Sequence, residues 1–129
     1  MNIPSDLLYT NDHEWVKFEA EEAIVGITDY AQGELGDIVF LDLPDIGVNV
    51  SQGKTFGAIE AVKAAADLYA PVSGEVIAVN GLLEQSPELI NQSPYEDGWI
   101  IRIKLLDPAE KDTLLGVADY TKLVAEAGE

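Results

Sequence analysis

Residues 60–67 read EAVKAAAD, and the class of fold depends on whether this octapeptide forms a helix or the turn of a hairpin. Alanine, glutamate and lysine all favour a helix, in which Glu60 would lie one turn from Lys63. Against a helix, Gly57 precedes the stretch and no strong capping residue starts it, while residues 68–71 end in proline and favour an extended chain. The local pattern leaves both structures open.

Lys63 is the central feature of this octapeptide because it is an isolated cation. The nearest basic residues along the chain are Lys54 and Arg102, and small side chains flank the lysine on both sides. Glu60 and Asp67 favour the charged amine, whereas a nucleophilic lysine must lose its proton near neutral pH. The pattern favours an amine that another protein can reach and modify over one that catalyses a reaction. An ordinary exposed lysine is the alternative.

The composition limits the classes of protein to which the chain can belong. A length of 129 residues and a hydrophobic fraction of 47% predict one globular domain over residues 1–129. The net charge of −17 argues against nucleic acid and anionic membrane surfaces as partners, and it favours a monomer. The chain has no cysteine for disulfide or thiol chemistry. No signal peptide or bilayer-spanning apolar segment is visible, so we expect a cytoplasmic protein.

Short strands separated by turns dominate the predicted organisation. Residues 14–18 and 23–27 predict a hairpin, and residues 38–43 and 75–80 predict further strands. Residues 99–105 show the most regular alternation of apolar and polar side chains. The residues on the apolar face of this last strand are Trp99, Ile101, Ile103 and Leu105.

Helices are predicted at the periphery of these strands. Thr28 can cap the start of a short helix, and Gly36 can end it in a left-handed conformation. Ser86 precedes a proline and predicts another helix start. A helical tail is predicted over about residues 107–127, with its second helix over residues 120–127. The chain is thus predicted to be a mainly β domain with short peripheral and C-terminal helices.

Six blocks of sequence between about Tyr9 and Lys104 carry a resemblance to a known family. They are YTNDHEWV (9–16), VGITDYA (25–31), LGDIV (35–39), EAVKAAAD (60–67), APVSGEV (70–76), and PELIN (87–91) with PY (94–95) and GW (98–99). Together and in this order, they resemble the H-protein family of the glycine cleavage system. The resemblance implies a barrel-sandwich hybrid, the fold of lipoyl and biotinyl carriers, with the modified lysine at the tip of a β-hairpin.

The resemblance also implies the site and the partners. Lipoate would be attached by an amide to Lys63. On the residues alone, Glu60 and Asp67 either mark this lysine for the lipoylating enzymes or dock the loaded arm, or they are solvated charges at a turn. Glu14 would line the cleft where an aminomethyl-loaded arm rests, its carboxylate paired with the cationic amine. The implied partners are glycine decarboxylase, aminomethyltransferase and dihydrolipoyl dehydrogenase (the P, T and L proteins), among which the chain would be a carrier and not an enzyme. Ala61 stands where the family usually has serine, which slightly weakens the case for standard recognition by lipoylating enzymes. Because alanine keeps the site small, we do not expect this difference to abolish modification.

The residues leave other functions open. Biotin domains typically have methionine on both sides of the lysine, and lipoyl domains of 2-oxo acid dehydrogenase complexes have aspartate before it, whereas this chain has Val62 and Ala64. Asp12 and Glu14 would be the carboxylates of a small acidic hydrolase, and His13 between them could be a base or a metal ligand. A lipoyl relay to other enzymes and a pure interaction module are further alternatives. The aromatic residues expected in the core or against the arm are Trp15, Tyr69 and Trp99.

Overall fold

The computed structural model describes residues 1–127, which fold into two antiparallel sheets with short helices around them. The strands are β1 (Leu8–Tyr9), β2 (Glu14–Glu19), β3 (Glu22–Ile27), β4 (Ile38–Asp42), β5 (Asn49–Val50), β6 (Thr55–Ala61), β7 (Ala65–Tyr69), β8 (Gly74–Val79) and β9 (Ile101–Leu105). The α-helices are α1 (Asp29–Leu35), α2 (Leu82–Gln85), α3 (Leu89–Gln92) and α4 (Val117–Ala127), and a 3₁₀-helix covers Pro108–Thr113. Residues 128 and 129, which the predicted domain includes, lie outside the described residues.

The order of strands confirms the predicted mainly β class with peripheral helices. One sheet has six strands in the order β1-β2-β3-β9-β8-β5, and the other has three in the order β4-β6-β7. The main hydrophobic core joins them and also takes in α2 and α3. Its buried residues include Val16, Val25, Val76, Ile101 and Ile103 from the first sheet and Ile38, Phe56, Ile59 and Leu68 from the second. Packing of the three-stranded sheet on this core fixes the orientation of its β6–β7 hairpin.

Two local predictions near the N-terminus are confirmed. The predicted hairpin is β2 paired with β3, and its tight turn places Ala20 at a positive φ of 55°. The hydroxyl of Thr28 caps α1 by accepting a hydrogen bond from the amide of Ala31 at 3.2 Å. Gly36 ends the same helix with a φ of 80°, a conformation that favours glycine. Capping chemistry therefore sets both ends of α1.

The octapeptide at residues 60–67 forms a hairpin, as the family resemblance implied, despite its preference for a helix. β6 pairs with β7, and the amide of Ala61 donates to the carbonyl of Ala64 across the turn at 2.7 Å. Ile59 and Leu68 bury their side chains on the inner face of this hairpin. The apolar surface that they bury in the shared core outweighs the helix propensity of the alanines, since a short helix gains little stability without tertiary packing.

The structure corrects the predicted helix start at Ser86. This residue ends α2, a helix that the sequence pattern did not reveal, and α3 begins only at Leu89. The serine side chain makes no capping hydrogen bond to α3. The proline signal therefore marks the break between two single-turn helices.

The predicted tail is helical but divided differently from the prediction. Its first part is a 3₁₀-helix, which Asp107 caps by accepting from the amide of Ala109 at 3.0 Å. α4 begins directly after Gly116 instead of at residue 120. Tyr120 then stacks on Tyr9 of β1, with ring centroids 4.5 Å apart, and this contact holds the helix against the six-stranded sheet.

The predicted apolar face of the last strand also needs one correction. Ile101 and Ile103 are fully buried in the main core, whereas Trp99 precedes β9 and packs in a second cluster with Trp15 and Tyr95.

None of the helices within residues 1–127 has both the length and the apolar character needed to cross a lipid bilayer.

Candidate functional site

Lys63 lies in the turn at residues 62–64 between β6 and β7, where its side chain is exposed. The preceding residue, Val62, is 75% exposed, and Ala64 and Ala65 that follow are exposed as well. Such neighbours leave the amine accessible to another protein from several directions. Among residues 1–127, the salt bridges join other side chains, and none of them includes Lys63. The amine is therefore free to react once an enzyme reaches it.

Glu60 and Asp67 lie beside this turn but do not pair with the amine. Glu60 is opposite Ala65 and Asp67 is opposite Ala58, so both carboxylates project from the outer face of the hairpin. Both side chains are exposed. The two carboxylates therefore form an acidic surface next to the lysine, and a cationic surface of a partner could contact it.

Glu14 occupies a different environment, because it is buried with only 2% of its surface exposed. The hydroxyl of Thr10 donates to its Oε1 at 2.6 Å, and the amide of Tyr69 donates to its Oε2 at 3.3 Å. Burial raises the pKa of the Glu14 carboxyl to about 8, although these two hydrogen bonds act in the opposite direction. At neutral pH the carboxyl is therefore mostly protonated, whereas the resemblance implied a carboxylate.

A cavity of about 160 Å³ lies next to Glu14. Its walls include Thr10, Asp12, Tyr69 and Pro71, and Lys63 is not among its lining residues. The strand β7 connects the two places: it begins just after the lysine turn and ends at Tyr69, whose amide bonds Glu14. The predicted site residues thus lie in two places. Glu60, Lys63 and Asp67 are exposed at or beside the hairpin turn, and Glu14 of β2 is buried next to the other end of β7.

Thr10, one of the two partners of Glu14, is a residue of the candidate site that the sequence pattern did not identify. The amide of Thr10 donates to the carbonyl of Glu14 at 3.0 Å and closes a tight turn over residues 10–14. His13 has a positive φ of 68° in this turn. The spacing of a threonine four residues before a glutamate is a visible signal, but it becomes informative only when the turn is known.

His13 is part of a hydrogen-bonded cluster with Tyr120. Its Nδ1 lies 2.9 Å from the hydroxyl of Tyr120, which in turn lies 2.7 Å from the hydroxyl of Thr28. Burial lowers the pKa of the His13 imidazole, while Asp12 and Glu34 act to raise it. Within residues 1–127, no group of three or more histidine, cysteine, aspartate or glutamate side chains is placed to hold a metal ion. His13 instead links α4 to the turn that precedes Glu14.

The three aromatic residues singled out in the sequence have separate positions. Trp15 is buried in the second cluster, and its indole N–H donates to the carbonyl of Pro94 at 2.8 Å. Trp99 is partly buried in the same cluster. Tyr69 lines the cavity beside Glu14. Two of the three therefore stabilise the fold, and only Tyr69 belongs to the candidate site.

Comparisons with known proteins show which family this chain is similar to. The family model described as "Glycine cleavage H-protein" matches residues 7–127 of the chain. The glycine cleavage system H protein of Carboxydothermus hydrogenoformans is 51% identical over 127 residues, covering 98% of each chain. The corresponding protein of Nitratidesulfovibrio vulgaris is 53% identical over 125 residues, covering 97% of each.

A solved structure gives the same result at the level of the fold. The crystal structure of a glycine cleavage system H protein from Mycobacterium marinum matches with a TM-score of 0.86 and 37% sequence identity. The match covers 93% of this chain and 97% of that one. This likeness confirms the predicted barrel-sandwich hybrid with short peripheral helices.

Proposed function

The chain belongs to the glycine cleavage H-protein family, and from this premise we propose that Lys63 carries its lipoyl group. The observation that supports Lys63 most is its place in the exposed turn between β6 and β7, among small side chains and outside any salt bridge of the described residues. The residues present fit an amide-linked group, because acylation removes the charge of the amine and no carboxylate partner would be left unpaired.

The function that follows is that of the lipoyl carrier in the glycine cleavage system. When attached, the lipoyl group would supply a dithiolane to receive the aminomethyl group from the decarboxylase, and a dithiol, left after the aminomethyltransferase has taken that group, for dihydrolipoyl dehydrogenase to reoxidise. The chain's own residues hold the attachment point on a rigid hairpin and leave it accessible to these three partners. We infer that the chain itself catalyses none of the steps and that it works as a monomer, in the cytoplasm, as a single domain.

Glu60 and Asp67 are proposed as recognition residues for the lipoylating enzymes. Both project from the outer face of the lysine hairpin, where they add to the strongly acidic character of the chain. Opposite charges on two partners accelerate their encounter and favour one relative orientation. Ala61, in place of the usual serine, faces the opposite side of β6 from Glu60 and packs partly against the main core.

Glu14 is proposed as the group that receives the carried amine when the arm is docked. Its carboxyl is buried beside a cavity and bonded by Thr10 and Tyr69, which hold it in one orientation. A buried acid with a pKa of about 8 is mostly neutral when the cavity holds no cation. A cationic amine within hydrogen-bond reach favours the carboxylate form, and a charge-assisted hydrogen bond is stronger than a neutral one.

Replacing Glu14 with alanine is expected to accelerate the loss of formaldehyde from the aminomethyl-loaded protein. The loss of one charge-assisted hydrogen bond in a buried site corresponds to a rate increase of roughly tenfold or more. The measurement is the time course of formaldehyde release after the loaded protein is separated from the decarboxylase. Glu21→Ala, which removes an exposed carboxylate in the β2–β3 turn, is the matched control. An unchanged rate in Glu14→Ala would exclude the docking role.

The hydrolase alternative depends on the environments of two carboxyl groups. Asp12 is exposed and Glu14 is buried, so the two carboxyls do lie in the contrasting environments that general acid–base catalysis requires. However, both oxygens of Glu14 already accept hydrogen bonds from the chain itself. Family membership supports the carrier function, and the environment of Glu14 is accounted for by the proposed docking of a cation.

The mass of the intact protein after enzymatic modification tests the attachment. Apo-protein incubated with a lipoylating enzyme, ATP and lipoate is expected to gain one lipoyl group, whereas a biotin ligase with biotin leaves its mass unchanged. Lys63→Arg is expected to gain nothing under either condition. A biotinylated product would instead support a biotinyl carrier module, and an unmodified wild-type protein would support a pure interaction module.

A further inference from the structure

We propose that Asn91 is a positioning residue that sets the presentation of Lys63 to the enzymes that modify it. It acts through residues 36–38, which are the connection between α1 and β4 and the first residue of β4. We call these residues the lysine platform. The inference rests on the proposed function of Lys63. Asn91 lies on α3 and not on the lysine hairpin itself.

The lysine platform contacts the hairpin tip at two points. The amide of Val62, in the turn itself, donates to the carbonyl of Asp37 at 2.9 Å. The stem of Lys63 runs over Gly36, so closely that a methyl group built on this glycine would lie 2.9 Å from the lysine Cε. The platform thus determines both the position of the turn and the path of the lysine side chain.

Backbone bonds fix this platform only in part: the amide of Gly36 donates to the carbonyl of Gln32, the carbonyl of Asp37 accepts from Val62, and Ile38 pairs with Ala61. Gly36 has a φ of 80° and a ψ of −154°, a conformation outside both helix and strand that glycine reaches without strain. The pairing of β4 with β6 shifts register between Ile38 and Phe40, so regular ladder bonds do not continue through Val39. The carbonyl of Gly36 and the amide of Ile38 are bonded by a side chain from elsewhere in the fold.

Asn91 provides these bonds from α3. Its Nδ2 donates to the carbonyl of Gly36 at 2.8 Å and to Oε1 of Gln32 at 3.0 Å. Its Oδ1 accepts from the amide of Ile38 at 2.9 Å. One side chain thus bonds both ends of the platform and the last turns of α1, in a geometry that a shorter or apolar residue cannot reproduce.

The consequence for modification follows from the geometry of acyl transfer. The amine must meet an activated acyl group at close distance and in a defined direction, and a small misplacement lowers the rate considerably. Without Asn91, the platform can shift, the turn loses its support at Asp37, and Lys63 samples more orientations. The folded protein would persist with a poorly presented lysine.

Asn91→Ala is expected to lower kcat/KM for lipoylation of the apo-protein roughly tenfold. The matched control is Asn80→Ala, because Asn80 also makes three hydrogen bonds: its Nδ2 donates to the carbonyls of Asp97 and Trp99, each at 2.8 Å, and its Oδ1 accepts from the amide of Leu82 at 3.2 Å. It is buried and lies away from the lysine platform. At a temperature where both variants are folded, Asn80→Ala should stay within about twofold of the wild type, since its lost bonds affect stability alone.

A structural readout accompanies the kinetic one. Amide hydrogen exchange at Val62 should become faster in Asn91→Ala and remain unchanged in Asn80→Ala, because only the first variant loosens the acceptor at Asp37. Equal lipoylation rates and equal exchange in the two variants would overturn the inference. If the wild-type protein is not lipoylated at all, the proposed function fails, which is a different outcome from equal behaviour of the two variants.

Gly36→Ala gives a second test that does not depend on the folding of Asn91→Ala. Its new methyl group meets the lysine stem and adds strain at a positive φ. Gly47→Ala is the control, because Gly47 also has a positive φ, of 97°, and a methyl group added there would meet no neighbouring atom within 4 Å. Slower lipoylation of Gly36→Ala than of Gly47→Ala supports the platform, and equal rates contradict it.

Discussion

Replacement of Lys63 with arginine is expected to reduce glycine–bicarbonate exchange to the background of the assay without H protein. Arginine keeps the positive charge and much of the length of the side chain, but its guanidinium is not a substrate for amide formation with lipoate. The exchange is measured with purified decarboxylase, glycine and labelled bicarbonate, after both proteins have been treated with the lipoylating enzyme. The expected effect is the largest for any substitution in this chain, because a carrier without its attachment point cannot carry the aminomethyl group at all.

Lys54→Arg is the control for this substitution. Lys54 is also exposed and lies in the turn just before β6, so the same chemical change is made in the same sheet. It should support exchange at the wild-type rate. Substantial exchange with lipoylation-treated Lys63→Arg would mean that another residue carries the group or that the carrier function belongs elsewhere in the chain.

Glu14→Gln is expected to remove a large pH-dependent part of the stability of the apo-protein. The pKa of Glu14 is about 8 in the folded state and 4.5 in the reference state, so between these values the folded protein binds one more proton than the unfolded chain. The contribution of this group is therefore fully present below pH 4.5 and is lost as the pH rises through 8. The loss is about 1.4 kcal/mol per pH unit, and about 5 kcal/mol at most over the whole interval.

The measurement for Glu14→Gln is the free energy of unfolding in urea between pH 5 and pH 9. The difference between variant and wild type should change steadily in favour of the variant up to about pH 8 and then become constant. Any constant cost of fitting an amide against Thr10 and Tyr69 shifts the curve without changing this slope. Glu21→Gln, which removes an exposed carboxylate, should show no comparable slope. A difference for Glu14→Gln that stays flat with pH would show that the buried carboxyl titrates normally.

The elements that depend on local chemistry could be predicted from the sequence. Thr28 and Gly36 define α1 because a capping hydroxyl and a glycine act over only a few residues. The alternation of Ile101, Arg102 and Ile103 is likewise visible in the chain and corresponds to their burial in β9. These signals need no knowledge of what lies on the other side of the core.

The hairpin at residues 60–67 could not be derived from the local pattern. Its conformation depends on pairing with β4, on the bond from Val62 to Asp37, and on burial of Ile59 and Leu68 in a core shared with another sheet. All of these contacts are distant in sequence. The family resemblance supplied this information, since it reflects the whole fold and not one octapeptide.

The sequence was sufficient to propose most residues of the candidate site, but not their protonation or their contacts in the fold. Lys63 was identified by its isolation from other cations, and its exposure in the turn agrees with that interpretation. The protonation of Glu14 depends on burial, which only the assembled fold provides. The role inferred for Asn91 depends on contacts between α3 and the α1–β4 connection, and no pattern within residues 87–91 indicates them.

The most direct test is a peptide map of protein recovered from a working glycine–bicarbonate exchange reaction. Digestion and tandem mass spectrometry identify the residue that bears the lipoyl group and its stoichiometry. We expect the group on Lys63 in the active fraction and on no other lysine of the chain. Active protein with a lipoyl group at another position, or with none, would contradict the assignment of Lys63 as the attachment point.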